Sequence, residues 1–213
     1  MRKCIPAILV SVALVAAGAH ETRAAGHRRV KRHAAIGKLA ETLGMGTRLA
    51  ATLLLNGGFP DDWLAAAGGT QTPDHLAWPV PGHRLGRGFG SNNGEHLAVD
   101  VTAPRGTPVL CMAHGIVGYA GNEINGYGNT VLVLHPGGWV TLYAHLDTFR
   151  VEAGEKVSER QVLGAVGKTG ITRGFHLHFS LHVRGKAVDP MRYMLSAPER
   201  NAALSMLLVH RSS

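Results

Sequence analysis

Nine consecutive residues, Phe175 to Val183, alternate apolar and polar without a break: Phe-His-Leu-His-Phe-Ser-Leu-His-Val. In an extended strand successive side chains point to opposite faces, so the pattern makes a strand with two unlike sides. Phe175, Leu177, Phe179, Leu181 and Val183 share the side that packs on a core, and His176, His178, Ser180 and His182 share the other. A helix would scatter the same residues and leave the apolar set without a common face. Same-face neighbours on a strand lie ~6.5–7 Å apart, which suits one imidazole holding a metal while the next handles a proton beside it. A half-buried strand with a wet face accounts for one histidine. Three in a row raise the question of which other residues meet them.

The strand sits in a chain made for turns and short strands. Of 213 residues 28 are glycine, while aromatic residues make up 6% and charged residues 17%. That fits one turn-rich β domain with some additional chain. A formal net charge of +8 points to acidic partners, whether nucleic acid, anionic lipid or an anionic wall polymer, without choosing among them. The cysteines are Cys4 and Cys111. Loss of the N-terminus on export leaves one of them and excludes an internal disulfide. Cys111 lies in a β-like run where a small buried thiol is expected. His114, three residues on, would face the other side of a strand and cannot serve it as a base.

Residues 1–19 open with Met-Arg-Lys, continue in a short apolar stretch and end in Ala17-Gly18-Ala19, the pattern of a secretory signal. The stretch is shorter than the ~20 residues of a membrane span, and Cys4 precedes it, which excludes a lipid-attachment role. Export to the periplasm or cell envelope with cleavage is the expectation, and a retained anchor is the alternative. Residues 20–33 form a basic arm, either a polyanion-binding patch or a solvated tail. Over 34–67, Ile36, Leu39, Ala40 and Leu43 repeat at helical spacing, and Leu49, Leu53 and Leu54 resume it after Gly44 and Gly46. This predicts a small helical hairpin serving as a packing prefix, with Asp61 or Asp62 capping a short last piece through Ala67. A linker at 68–77 leads to the main domain at 78–195, and 196–213 form a C-terminal tail. In the main domain, strands are expected at Leu97–Thr102, as a tight pair Pro108–Ala113 and Ile116–Ala120, and as a hairpin of Thr130–His135 with Trp139–His145. The glycines at 86–90 match neither a dinucleotide fingerprint nor a phosphate loop and are read as turn residues.

His96-Leu-Ala-Val-Asp100 supplies the partners. Residues four apart share a face on a strand, so an imidazole and a carboxylate stand together. With one histidine of the 175–183 strand they make two nitrogens and one oxygen. Three protein ligands leave a fourth position for water, as a hydrolytic zinc site requires. Alone, His-x-x-x-Asp is a weak signal. Followed by Val-Thr-Ala-Pro-Arg-Gly-Thr-Pro-Val and paired with His-x-His downstream, it is a strong one. His145, in Tyr143-Ala-His-Leu146, is a candidate for proton transfer or oxyanion stabilisation.

The ordered set Gly88-Phe-Gly90, His96-x-x-x-Asp100, Ala103-Pro-Arg-Gly-Thr-Pro-Val109, Tyr127-Gly-Asn129, Tyr143-Ala-His-Leu146, His176-Leu-His-Phe179 and Val188-Asp-Pro190 resembles the lysostaphin-type (LytM-like) zinc endopeptidases of peptidoglycan. The likeness covers about residues 78–193. It implies a mainly β fold, an antiparallel sandwich with an open groove, preceded here by the helical segment. It implies one zinc ion held by His96, Asp100 and His178, with His145 and His176 as catalytic histidines that do not bind the metal. It implies hydrolysis of peptide cross-links by a zinc-activated water, one histidine acting as base and the other stabilising the oxyanion. Three positions depart from the family pattern. Ser180 stands where glutamate is usual, Ala98 where glycine is frequent, and His182 where a basic residue is common. The ligand set is untouched, and Ser180 bears on the support of the strand.

Other readings account for less. A wall-binding regulator that activates another hydrolase needs no ligands, yet all are present. A non-haem iron oxygenase shares the two-histidine, one-carboxylate set but uses His-x-Asp, which is absent. A phosphocarrier has no need of Asp100. Nucleic acid is not an expected partner, because no stacking motif or recognition helix accompanies the charge. The expected partners are peptidoglycan stem peptides, with anionic envelope polymers at the basic arm. The cross-link favoured as substrate is one between D-amino acids.

Overall fold

The computed structural model describes residues 32–73 and 76–194. The expected signal, the arm up to residue 31, His75 and the C-terminal tail lie outside the described residues.

Among the described residues, three helices come first. Residues 32–43 form α1, and Arg32 and His33 are part of it, paired with Glu155 and Glu152 across the chain. Thr47 caps α2 (Arg48–Asn56) by accepting from Ala50 N at 3.0 Å, and Gly57 ends it in the left-handed conformation, φ 72°. Such an end suits glycine, which lacks the Cβ that penalises this region. α3 (Asp61–Ala67) begins after Pro60 and has no side-chain cap. Asp61 and Asp62 lie in its first turn, where their charge favours the helix dipole without capping it.

The rest is an antiparallel sheet of short strands: β1 (Arg84–Leu85), β2 (Val99–Thr102), β3 (Pro108–Leu110), β4 (Gly115–Gly121), β5 (Asn129–His135), β6 (Trp139–Phe149), β7 (Lys156–Val157), β8 (Val162–Val166), β9 (His176–Val183) and β10 (Lys186–Val188). The main path runs β1-β2-β9-β6-β5-β4-β7, with β10 on β9 and β8 linking β3 to β6. The β5–β6 hairpin turns through Pro136–Gly138 as the sequence indicates. The segments around His114-Gly115 do not pair with each other. β3 joins β8, and β4 joins β5 and β7. A short gap between two apolar runs does not by itself specify a hairpin. β4 finds in β5 a partner of equal length, which the three-residue β3 cannot offer.

Each face of the sheet has its own core. Val99, Val101, Val131, Val133, Tyr143, Leu177, Phe179 and Leu181 point to one side and pack with Val109, Leu163 and Val166. Each such side chain contributes about 1.5–3 kcal/mol when fully withdrawn from water. On the other side Leu132, Leu134, Val140, Leu142 and Ala144 are roofed by Ala50, Ala51, Leu54, Trp63 and Ala67 of α2 and α3. Gly118 of β4 lies directly under Leu54, so closely that a Cβ would collide with it. The helices are therefore packed into the domain and do not hang from it. Phe175 departs from the alternation: it precedes β9 and is 44% exposed.

Candidate metal centre

Pairing across β2, β9 and β6 sets the site. Asp100 lies opposite His178, Thr102 opposite His176, and Ala144 opposite His178. By alternation Asp100, His176 and His178 share a face, while their neighbours Val99, Val101, Leu177 and Phe179 are core. His96 precedes β2, held by a bridge to Ser91, so it meets Asp100 from a turn. Ligand atoms of His96, Asp100 and His178 all lie within 4.8 Å of one another. No other cluster of this kind occurs among the described residues.

His145 reaches the same place by an irregularity. Strict alternation from Ala144 would turn it to the core face. Its φ is 59°, and the β5–β6 register shifts there, with Asn129 opposite Leu146 and Val131 opposite Tyr143. A bulge of this kind re-aims a side chain. A left-handed non-glycine residue costs of order 1–3 kcal/mol and occurs preferentially at functional positions. β6 does not end at His145 but runs on to Phe149. The ring centroids of His145 and His176 are 4.9 Å apart, and those of His145 and His178 5.6 Å.

Hydrogen bonds assign the tautomers. His145 Nδ1 donates to Thr169 O at 2.8 Å, and His176 Nδ1 donates to Gly174 O at 3.0 Å with Thr172 Oγ1 3.2 Å away. A carbonyl accepts only, so each Nδ1 carries a proton, and in the neutral ring each Nε2 presents a lone pair. Asp100 divides its two oxygens. Oδ1 lies 3.0 Å from His178 Nδ1, 3.3 Å from His96 Nε2 and 3.7 Å from His176 Nε2. Oδ2 accepts from Arg87 Nε at 2.9 Å and Nη2 at 2.8 Å. His96 Nε2 and His176 Nε2 are buried without a hydrogen-bond partner, alone among the described side chains in this. Their closeness to Oδ1 is thus one of distance and not of alignment, the arrangement expected of lone pairs converging on a common point.

Burial pushes the His145 imidazole down to about 4, against the bond to Thr169 O, and His176 and His178 add to the lowering. His96 is lowered for the same first reason, with Asp100 opposing and Arg87 reinforcing. Burial alone would raise Asp100. The hydrogen bond from His178 and the charges of His176, His178 and His96 outweigh it and hold the carboxyl at about 2. Near neutral pH the lowering favours the neutral rings of His96 and His145 beside an ionised Asp100, and a neutral imidazole and a carboxylate are the forms that bind a metal.

All five residues singled out in the sequence, His96, Asp100, His145, His176 and His178, meet here. Arg87 joins them without a signal in the sequence, where it lies in a glycine-rich turn and an arginine between glycines is unspecific. Of the other histidines, His114 is exposed and His135 is fully buried. Burial pushes the Cys111 thiol up to about 12, as for an inert core residue.

Residues 94–190 match the model of peptidase family M23. The murein hydrolase activator NlpD of Escherichia coli is 35% identical over 126 residues, which is 59% of this chain and 33% of that protein. The chain spans less than half the length of the curated relatives it matches. Among solved structures, the antimicrobial peptidase lysostaphin of Staphylococcus simulans is 31% identical, with a TM-score of 0.53 over 58% of this chain and 54% of that one. A zinc-containing peptidase of Vibrio cholerae is 29% identical, with a TM-score of 0.52 over 57% of this chain and 41% of that one. With the sheet, the ordered motifs and the matched segment all in agreement, residues 94–190 form a peptidase family M23 domain.

Proposed function

We propose that the protein is a zinc-dependent endopeptidase of the cell envelope that hydrolyses peptide cross-links of peptidoglycan. The observation that carries this reading is the convergence of His96 Nε2 and His178 Nδ1 on Asp100 Oδ1, with two buried imidazole nitrogens left unpartnered. Two nitrogens and one carboxylate oxygen fit zinc, and three protein ligands are the number used where chemistry is done. His96, Asp100 and His178 would hold the ion. Bound there, zinc supplies Lewis acidity, lowering the pKa of a coordinated water and polarising a carbonyl.

The remaining work falls to the chain's own groups. His145 and His176 turn their Nε2 atoms to the site, each ring fixed by an Nδ1 bond to a carbonyl, and in the neutral form each Nε2 can accept a proton. One takes the proton of the attacking water and returns it to the leaving amine, and the other stabilises the oxyanion. A ring held neutral by burial is ready to accept at pH 7. The aspartate, fixed by Arg87 on one side, keeps its charge throughout.

A second reading is favoured by the likeness to NlpD: an envelope protein that activates another wall hydrolase. One experiment separates the two. Purified peptidoglycan is incubated with the full chain, with and without a chelator, and the released muropeptides are weighed by mass spectrometry. Cross-link cleavage that stops with the chelator and resumes with zinc is the expected result. Absence of any new muropeptide at every zinc concentration, with stimulation of an added hydrolase, supports activation instead.

A further inference from the structure

We infer that Arg87 is a positioning residue that reserves one oxygen of Asp100 for the metal by occupying the other. This rests on the metal reading above. Asp100 is held from three sides by the pair Gly86-Arg87. Its backbone N donates to Arg87 O at 2.8 Å, its backbone O accepts from Gly86 N at 2.7 Å, and its Oδ2 takes both the Nε and the Nη2 of the guanidinium. The approach is close because residue 86 is glycine: a Cβ there would stand 2.7 Å from Thr102 Oγ1 and 3.3 Å from Asp100 O. The segment is thus laid flat along β2 and the guanidinium is delivered to one oxygen only.

The consequence lies in the count of donors. A free carboxylate can turn and offer both oxygens to a cation. Here Oδ2 is engaged by two N–H groups of a rigid planar fork, a geometry that a lysine ammonium cannot reproduce. Only Oδ1 faces His96, His176 and His178. The protein then contributes three donors, and the coordination place that the reaction needs is kept from the aspartate itself. Charge alone would act in the opposite direction. A cation beside the site weakens the hold on another cation, so its removal by itself would tighten metal binding. A loss of affinity on removing Arg87 is therefore the signature of positioning.

The test uses the metal-free full chain, titrated with zinc against a chromophoric chelator and, separately, with cobalt(II). Visible absorption of cobalt is strong in a tetrahedral site and weak in a more crowded one. The wild type is expected to bind zinc tightly and to give the strong cobalt spectrum. Arg87→Ala and Arg87→Lys are each expected to bind zinc about tenfold or more weakly, the range for outer partners of metal ligands, and to weaken the cobalt absorption. Arg84→Ala, on exposed β1, is expected to change neither. Arg87 is half-exposed, so folding should survive, and Arg87→Gln replaces either variant that does not fold. Full recovery by Arg87→Lys, tighter zinc binding by Arg87→Ala, or an unchanged cobalt spectrum in both would overturn the assignment. A wild type that binds no zinc would instead bring down the metal reading, and this assignment with it.

Discussion

Two halves of one strand face make an instructive pair. His176 and His178 at the front of β9, and Ser180 and His182 at its rear, lie on the same side of the sheet at the same spacing. The front half meets Asp100 across β2 and His96 from the turn before it, and its side chains remain partly open to solvent. The rear half lies beneath the helical layer. His182 Nδ1 donates to Leu55 O of α2 at 3.2 Å, and its Nε2 accepts from Ser180 Oγ at 3.2 Å. Burial lowers the His182 imidazole, with the Leu55 carbonyl opposing. One pair of side chains gathers with His96 around Asp100 Oδ1, and His176 Nε2 there has no hydrogen-bond partner. The other pair has every polar atom answered. What a histidine does here is decided by the element above it and not by its place in the alternation. The same roof gives a physical setting for Ser180. The residue is buried beside Leu142, where a short hydroxyl that donates to His182 is satisfied and a glutamate side chain would need an ionic partner inside an apolar layer.

Substitutions that treat the halves separately should separate function from stability. The largest expected effect is His178→Ala, which should reduce release of muropeptides by more than about a hundredfold, exceeding what loss of an outer partner does, while the thermal unfolding profile of the metal-free protein stays close to wild type. Equal activity of the variant would erase the distinction between front and rear. Next comes Leu54→Ala, beneath which Gly118 lies. Truncating this fully buried side chain should cost about 2–5 kcal/mol in a denaturant titration and leave the zinc stoichiometry unchanged. A variant as stable as wild type would show that the roof is not part of the folding unit.

The third expectation concerns acid. His135 is fully buried on the core side, donating from Nδ1 to His114 O at 2.8 Å with Nε2 2.7 Å from Thr141 Oγ1. Burial pushes it from 6.5 down to about 4, with the bond to His114 O opposing. The unfolded chain then binds more protons than the folded one between these values. The neutral ring's contribution is complete above the unfolded value and is lost as pH falls through the folded one. Stability should therefore decline below about pH 6.5 by up to ~1.4 kcal/mol per pH unit from this group. His135→Asn, measured by unfolding at several pH values, should flatten that slope, and an unchanged slope would assign the acid sensitivity elsewhere. The smallest effect is that of His182→Ala, which removes one hydrogen bond to α2 and should cost about 1 kcal/mol without altering cleavage.

Much of the site was legible in the chain because its parts are local. The strict alternation of 175–183 fixed which histidines share a face, and His-x-x-x-Asp announced a second contributor. The β5–β6 hairpin followed from its turn. What escaped depended on distance or on irregularity. His182 is answered by a carbonyl 127 positions earlier, and no local pattern reports such a partner. His145 faces the site only because a bulge breaks the alternation that a reader would apply to it. Arg87 acts through a fork whose target lies on the next strand. The tight pair expected around His114 was replaced by pairings with β8, β5 and β7, because strands choose partners by length and face as well as by proximity.

Metal analysis of the full chain with its His178→Ala and His182→Ala variants tests the central claim most directly. The account predicts about one equivalent of zinc in the wild type and in His182→Ala, and a loss of it in His178→Ala. Zinc retained in full by His178→Ala, or lost as completely from His182→Ala, would contradict it.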